Sequence, residues 1–276
     1  MVASEDEFES VRRDPDPLRR GKRASSLLTV YQQRATELAR LRKAAIEEAH
    51  QQLGLSYTEI AASLGITKGR VTQIRSSAPR PERAFFGVGP VSIGVPYRYQ
   101  TTDRERPLIA AEDAQTGEQL ELLLGNLSLT VSRFQIEPDL EKVPAGDAIV
   151  VCGPKSAPIG AALLDADPTL SMVEADGRWW ITHEASGERF GSPADEVDRQ
   201  DGDIAYVSRH VIDGRVIVHI AGIHGIGSLG ATHFLTGHLG EIFASAGTEG
   251  CSLIVRATYK GLTITASELV AGPFKW

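Results

Sequence analysis

Residue types able to do chemistry gather in two stretches of the C-terminal two-thirds of the chain. In His219-Ile220-Ala221-Gly222-Ile223-His224-Gly225-Ile226-Gly227-Ser228-Leu229-Gly230, the last three glycines stand at G-x-G-x-x-G spacing, after a strand-like run and before a helix expected over residues 229–246. Glycines so placed let the backbone approach a pyrophosphate, and the first amides of the helix add positive potential. The second stretch, Gly153-Pro154-Lys155-Ser156-Ala157-Pro158, follows an apolar run and offers an ammonium and a hydroxyl to a phosphate, without the spacing of a P-loop. The candidate ligand-binding residues are therefore Gly153, Lys155, Ser156, His224, Gly225, Gly227 and Ser228, with a nucleotide or other phosphate-bearing molecule as ligand and no cofactor required. A tight turn held by glycines for backbone packing is the structural alternative.

Catalytic patterns are weaker. Ser228 misses G-x-S-x-G because Ile226 stands two positions before it, and the strand expected over 251–259 does not end in the acid that would grip a ribose. H-E-x-x-H is absent, and the i,i+5 offset of His233 and His238 separates them on a helix. Were the domain an enzyme, His224 as general base, Lys155 and Ser228 would be its candidates. Cys152 and Cys251 lie in apolar runs with no ligand spacing, so neither a disulfide nor a metal site is indicated. Asp203 and Glu249 are expected in solvent.

The elements that must position these loops read as an α/β, Rossmann-like domain over residues 85–276. A Gly-rich strand near the start is followed by a helix over 108–124 and a half-buried strand over 127–136. The unbroken apolar run 147–152 fits a strand covered on both faces. A helix begins at Ile159, Trp179-Trp180 belongs to a hairpin turning at Asp176-Gly177, and strands 204–210 and 215–222 flank Asp213-Gly214. The two loops share one edge only if the strands they leave run parallel; antiparallel strands would abolish a common site.

The front of the chain has a different character. Residues 1–23 read as a disordered basic arm, and 25–53 as one long amphipathic helix or two abutting ones, whose upstream half carries an apolar stripe free to pair with a second chain or, alternatively, to dock on the chain's own second domain. Ser56-Tyr57-Thr58-Glu59 is a capping box, Gly65 supplies a left-handed turn, and a second helix starts at Thr67. Val71 and Ile74 form the inner face of that helix. Thr67, Lys68, Gly69, Arg70, Thr72, Gln73 and Ser76 are left outward, a set of hydrogen-bonders and cations suited to a major groove. Pro79 and Pro81 mark a linker over 79–84, after an all-α module at 24–78.

The pattern Ser56-Tyr57-x-Glu59-Ile60-Ala61, continued by Gly65, Val71 and Ile74, resembles the helix-turn-helix of region 4 of sigma-70-type factors and the small regulators that share it. That resemblance implies double-stranded DNA as partner, with Thr67, Lys68, Arg70, Thr72, Gln73 and Arg75 at the contact. It covers about a tenth of the chain, and the upstream segments by which a sigma factor grips promoter and polymerase have no counterpart.

Charge divides at the same boundary. Residues 1–83 carry 15 Lys and Arg against 11 Asp and Glu, a net +4, whereas the remainder carries 14 against 25, a net −11. A basic module on an acidic body fits nucleic-acid contact by the front piece alone. No apolar run approaches a membrane span and the first ten residues are acidic, so a cytoplasmic protein is expected. The expectation is a dimeric DNA-binding transcriptional regulator whose C-terminal domain senses a nucleotide-like molecule. The alternatives are a nucleotide-processing enzyme with a DNA-binding arm and an interaction protein whose acidic body docks another regulator.

Overall fold

The computed structural model describes residues 5–101 and 104–276, so residues 1–4 of the expected arm lie outside the described residues. The chain opens on helices α1 (Glu5–Arg12), α2 (Pro17–Gln52), α3 (Tyr57–Ser63) and α4 (Lys68–Ser77). It continues through β1 (Val91–Pro96), β2 (Arg98–Thr101), β3 (Glu105–Leu108), α5 (Ala111–Asn126), β4 (Val131–Ile136), β5 (Asp147–Val151) and α6 (Pro158–Asp165). Then follow β6 (Leu170–Ala175), β7 (Arg178–His183), β8 (Glu188–Gly191), β9 (Gly202–Ile212), β10 (Arg215–Gly222), α7 (Gly225–Ala246), β11 (Cys251–Lys260) and β12 (Thr263–Lys275). A long N-terminal helical region thus precedes an α/β region built on a mixed sheet.

The described part of the expected disordered arm is helical instead. Asp14 is buried and its carboxylate receives Arg19 Nε at 2.8 Å and Arg23 Nη1 at 3.0 Å, which holds its pKa well below the usual carboxylate range. Asp16 caps α2 by accepting from the amides of Leu18 and Arg19, and Pro17 opens the helix with a preset φ. Two of the arm's arginines are thereby committed within the chain. Beyond them, α2 runs unbroken for 36 residues. The upstream members of its expected stripe, Leu28, Tyr31, Ala35 and Leu38, are exposed, while Gln33, outside that stripe, is buried against the chain's own α/β region.

Ser56 and Glu59 form the capping box read from their spacing, and Thr67 Oγ1 accepts from Arg70 N at the start of α4. Ile46 of α2, Ile60 and Ala61 of α3, and Val71 and Ile74 of α4 close into a small core of their own. Gly65, at φ +65°, makes the turn between the two short helices.

The expected linker does not stay free. Residues Pro81–Phe86 form a 3-10 turn in which Arg83, Ala84, Phe85 and Phe86 are all buried, because the two phenylalanines enter the main core of the α/β region. Arg83 donates from Nη1 to the carbonyls of Leu127 and Ser128 (3.1 and 2.6 Å), and from Nη2 to Gln33 Oε1 and the Val88 carbonyl (2.8 and 2.6 Å). Gln33 completes the knot by donating Nε2 to Thr130 Oγ1 at 3.0 Å. Arg209 is buried in the same way, bonding the carbonyls of Ala84 and Phe85 and those of Thr248 and Glu249.

The seven-stranded sheet has the order β12-β11-β9-β10-β5-β1-β4. β4, β1, β5 and β10 are mutually parallel; β9, β11 and β12 each run antiparallel to the strand before them in space. Strand periodicity sorts the core: Ile149 and Val151 of β5 face α5 and α7, whereas Val150 and the following Cys152 face α6. The unbroken apolar run at β5 is thus covered on both faces, as its composition predicts. Three small strands, β6, β7 and β8, pair beside the α6 face. The expected strand over 127–136 begins only at Val131, because Leu127 caps α5 and Ser128, at φ +60°, turns the chain.

Removing the guanidinium in Arg83→Ala leaves buried carbonyls without donors, a loss of roughly 3 kcal/mol, or several degrees in the unfolding midpoint. Thermal unfolding followed by circular dichroism tests this, and an unchanged midpoint would contradict the role given to Arg83.

Candidate functional site

β5 and β10 are adjacent and parallel, with Ile220 opposite Val151, so the loops after them leave the same edge of the sheet. β1 flanks β5 in the same sense and contributes its own carboxyl end. Between these ends and the amino ends of α5 and α7 opens a cleft of about 480 Å³, within the range of small-molecule sites. A crevice outside the carboxyl ends of parallel strands is where α/β sheets hold ligands.

Gly153, Lys155, Ser156, His224, Gly225 and Ser228 all line this cleft, so the fold brings together six of the seven residues chosen from the sequence. Lys155 Nζ donates to the Ile223 carbonyl at 3.4 Å and lies 5.0 Å from the Trp179 ring, which ties loop 153–158 to the loop after β10. Trp179 packs against the core beneath β6 and β7 and does not line the cleft, and Trp180 lies under Arg178. The seventh residue, Gly227, serves packing instead. A Cβ there would stand 2.5 Å from Asp203 Oδ2 and 2.8 Å from the Ile204 carbonyl, and one on Gly230 would stand 2.3 Å from Ala257 Cβ. These glycines let α7 sit tightly on β9 and β11. α7 accordingly begins at Gly225, earlier than the expected 229, and the glycine pattern lies within its first turns rather than in a loop.

His224 caps the amino end of α7 without a side-chain bond to the helix. Its backbone amide donates to Asp203 Oδ2 at 3.0 Å, its Nδ1 lies 3.2 Å from Asp203 Oδ1, and its Nε2 lies 3.2 Å from Asp195 Oδ1. The ring is hydrogen-bonded at Nδ1 to Asp203, while Asp195 lies near Nε2 as a second negative charge, and both carboxylates favour the protonated ring. The hydrogen bond to Asp203 raises the pKa of the ring, against the opposing pull of its partial burial. Asp203 itself is fully buried, contrary to its expected place in solvent, because it accepts from both His224 N and the ring.

Ser228 Oγ accepts from Gly222 N at 2.9 Å, a bond that closes the turn from β10 into α7. No Ser228–His224 hydrogen bond exists among the described residues. Cys152, at the cleft floor, is a protonated thiol, pushed up to about 12 by burial. His219 is buried and neutral, its pKa depressed to about 4 by burial, so Nε2 carries the hydrogen donated to the Cys152 carbonyl at 2.6 Å. That bond fixes the backbone where β5 enters loop 153–158. His233 meets Ser267 and His238 meets Glu241, and neither lines the cleft.

Three cleft residues escaped the reading of the sequence: Arg98 from β2, and Glu112 and Asp113 from the first turn of α5. Acids in a first turn ordinarily serve the helix dipole in solvent, so their spacing carries no signal of a site. Glu112 packs across the amino end of α7, where a Cβ on Gly225 would be 2.5 Å from its Cγ. Asp113 is only 6% exposed and lines the cleft, yet no donor among the described residues hydrogen-bonds its carboxylate. Burial, aided by the Glu112 charge and opposed by Arg98, raises its pKa to about 6.

A second candidate surface lies on α4. Lys68, Arg70, Thr72 and Gln73 are exposed on one side, with Arg70 Nη1 bonded to Gln73 Oε1 at 2.6 Å. Thr67 caps the helix and Thr72 bonds back to the Lys68 carbonyl. Arg75 is drawn inward: Nε donates to Glu47 at 2.6 Å and the guanidinium lies 4.0 Å over the Tyr57 ring, so it braces α2, α3 and α4. Among the described residues no group of three or more His, Cys, Asp or Glu is placed to hold a metal, and no helix is long and apolar enough to cross a membrane.

No known protein-family model matches the chain, and no curated protein matches it.

The state of Asp113 gives a stability prediction with a definite sign. An acid with an ordinary value of 3.8, raised to about 6 by folding, has little effect where it is protonated in both states, lowers stability progressively as pH rises from about 4 to about 6, and exerts its full penalty above 6. Asp113→Asn should therefore stabilise the protein at pH 7 by up to roughly 3 kcal/mol, with the gain disappearing below pH 4. Denaturant melts at pH 7.5 and pH 4 measure the difference.

Proposed function

We propose that the chain is a DNA-binding transcriptional regulator whose α/β region, of Rossmann-like layering, senses a small nucleotide-like ligand in the cleft. The observation that carries the sensing half is the parallel pairing of β5 with β10, which sets Lys155, Ser156 and His224 around one volume. The Lys155 ammonium, the Ser156 hydroxyl and the His224 ring, whose pKa is raised by its bond to Asp203, are cationic or hydrogen-bonding features suited to a phosphate.

The DNA-binding half assigns α3 and α4 as a helix-turn-helix, with α4 in the major groove. Support comes from the side chains themselves: Lys68, Arg70, Thr72 and Gln73 form an exposed polar and cationic face with no large apolar residue, while Val71 and Ile74 are buried behind it. Residues 1–83 also hold the positive charge of the chain. A homodimer paired through the exposed Leu28 and Leu38 side of α2 would set two such faces toward half-sites about 34 Å apart. The ligand then acts by population shift, binding more tightly to one spacing of the modules than to the other. The buried Gln33–Arg83 junction joins the two regions mechanically, and the cytoplasm is the compartment in which such a regulator works.

Enzymatic turnover is the weaker reading, because the His224 ring is hydrogen-bonded to Asp203, with no bond to Ser228, whose Oγ is held by the Gly222 amide.

Lys68→Ala and Arg70→Ala should each weaken retention on DNA and lower the slope of log affinity against log salt by about one. Unchanged retention and slope would remove α4 as the reading helix. In the cleft, Lys155→Ala should lower the affinity for ATP or GTP about tenfold or more, measured by calorimetry; a wild-type protein that binds no nucleotide would end the nucleotide reading.

A further inference from the structure

We propose that Asp113 is the ribose-recognising group of the cleft, taking the vicinal 2′- and 3′-hydroxyls of a ribonucleotide whose phosphates lie toward Lys155. This rests on the nucleotide reading above and narrows it from phosphate-bearing molecules in general to ribonucleotides with a free diol.

Asp113 is only 6% exposed, lines the cleft, and receives no side-chain or backbone hydrogen bond at its carboxylate among the described residues. A buried carboxylate without donors is costly, and proteins that keep one place it where a ligand supplies the missing hydrogens. Two oxygens in one plane match two adjacent hydroxyls, each donating one hydrogen bond. The remainder of the cleft decides what those hydroxyls belong to. Arg98, Lys155 and His224, whose pKa is raised by its bond to Asp203, line the same volume and disfavour a cationic donor, such as an amine, while favouring a molecule that also carries phosphate. Glu112, beside the amino end of α7, keeps a second phosphate from settling there and leaves the Lys155 and Ser156 side as the anion's place.

The position explains a gap in the sequence pattern. A glycine-rich turn with its acid on the following strand would have shown the diol group by spacing alone, but β11 ends without one. Here the acid arrives from α5, more than a hundred residues before the glycines.

The test is calorimetry on the full-length protein with ATP and GTP, set against their 2′-deoxy and 3′-deoxy forms. Wild type should bind the ribonucleotide about 10- to 100-fold more tightly than either deoxy analogue, the range expected for hydrogen bonds to a charged acceptor. In Asp113→Ala the ribonucleotide should fall to the affinity of the deoxy forms, and the deoxy forms should change little. The thermal midpoint of the variant, expected at or above that of wild type at pH 7.5, shows that it is folded. Equal wild-type affinity for ribo and deoxy forms would overturn the diol assignment while leaving a nucleotide site in place. Absence of all nucleotide binding would overturn both. Binding of agmatine that depends on Asp113, with no nucleotide bound, would assign the carboxylate to a cation and likewise overturn the proposal.

Discussion

The Arg83 guanidinium, enclosed with no carboxylate partner among the described residues and with only its Nε left unbonded, is the constraint around which the two regions are joined. It meets three carbonyls and the Gln33 amide oxygen, so its charge is spread over neutral dipoles. Such an arrangement is specific in geometry, because each acceptor has to be in place for the cation to be tolerated. The acceptors come from α2, from the turn after α5 and from the segment before β1. Misplacing any one of these elements leaves a buried cation partly unsatisfied, and the long first helix is thereby held to the sheet.

The cleft is governed by a comparable economy of backbone. Asp203 accepts the His224 amide and ring, Ser228 closes the turn from β10, and His219 holds the Cys152 carbonyl. The groups that look most catalytic in the sequence are thus consumed in fixing loops. What remains open to a ligand is the Lys155 and Ser156 side, the rim at His224, and the carboxylate of Asp113.

Legibility in the sequence followed locality. The capping box at Ser56, the turn at Gly65, the buried run of β5 and the hairpin between β9 and β10 rest on residues a few positions apart, and they stand where spacing placed them. The burial of 81–86 depended on a remote partner, Arg209, and prolines at its start read only as an extended linker. Helicity at 17–23 depended on Asp14 and was masked by charge clustering. β12 escaped because it is an edge strand with bulged pairing to β11 and a largely exposed pattern, so no alternation marks it. In the cleft, residues on the two loops were legible from glycine and lysine chemistry. Asp113 was not, since only tertiary structure turns a helix-opening acid into a wall of a cavity.

α5 touches both halves of this organisation. Its first turn carries Asp113 into the cleft, and its far end presents the Leu127 carbonyl, with that of Ser128 just beyond, to Arg83. Sixteen helical residues make a strut of about 24 Å that resists compression far better than it resists tilting. A strut pinned at both ends converts a small rotation at one pin into a sideways sweep at the other. Length is then a mechanical quantity: adding or removing one residue within α5 would turn its far end by about 100° and set its carbonyls out of register with the guanidinium, even with every side chain in the cleft unchanged.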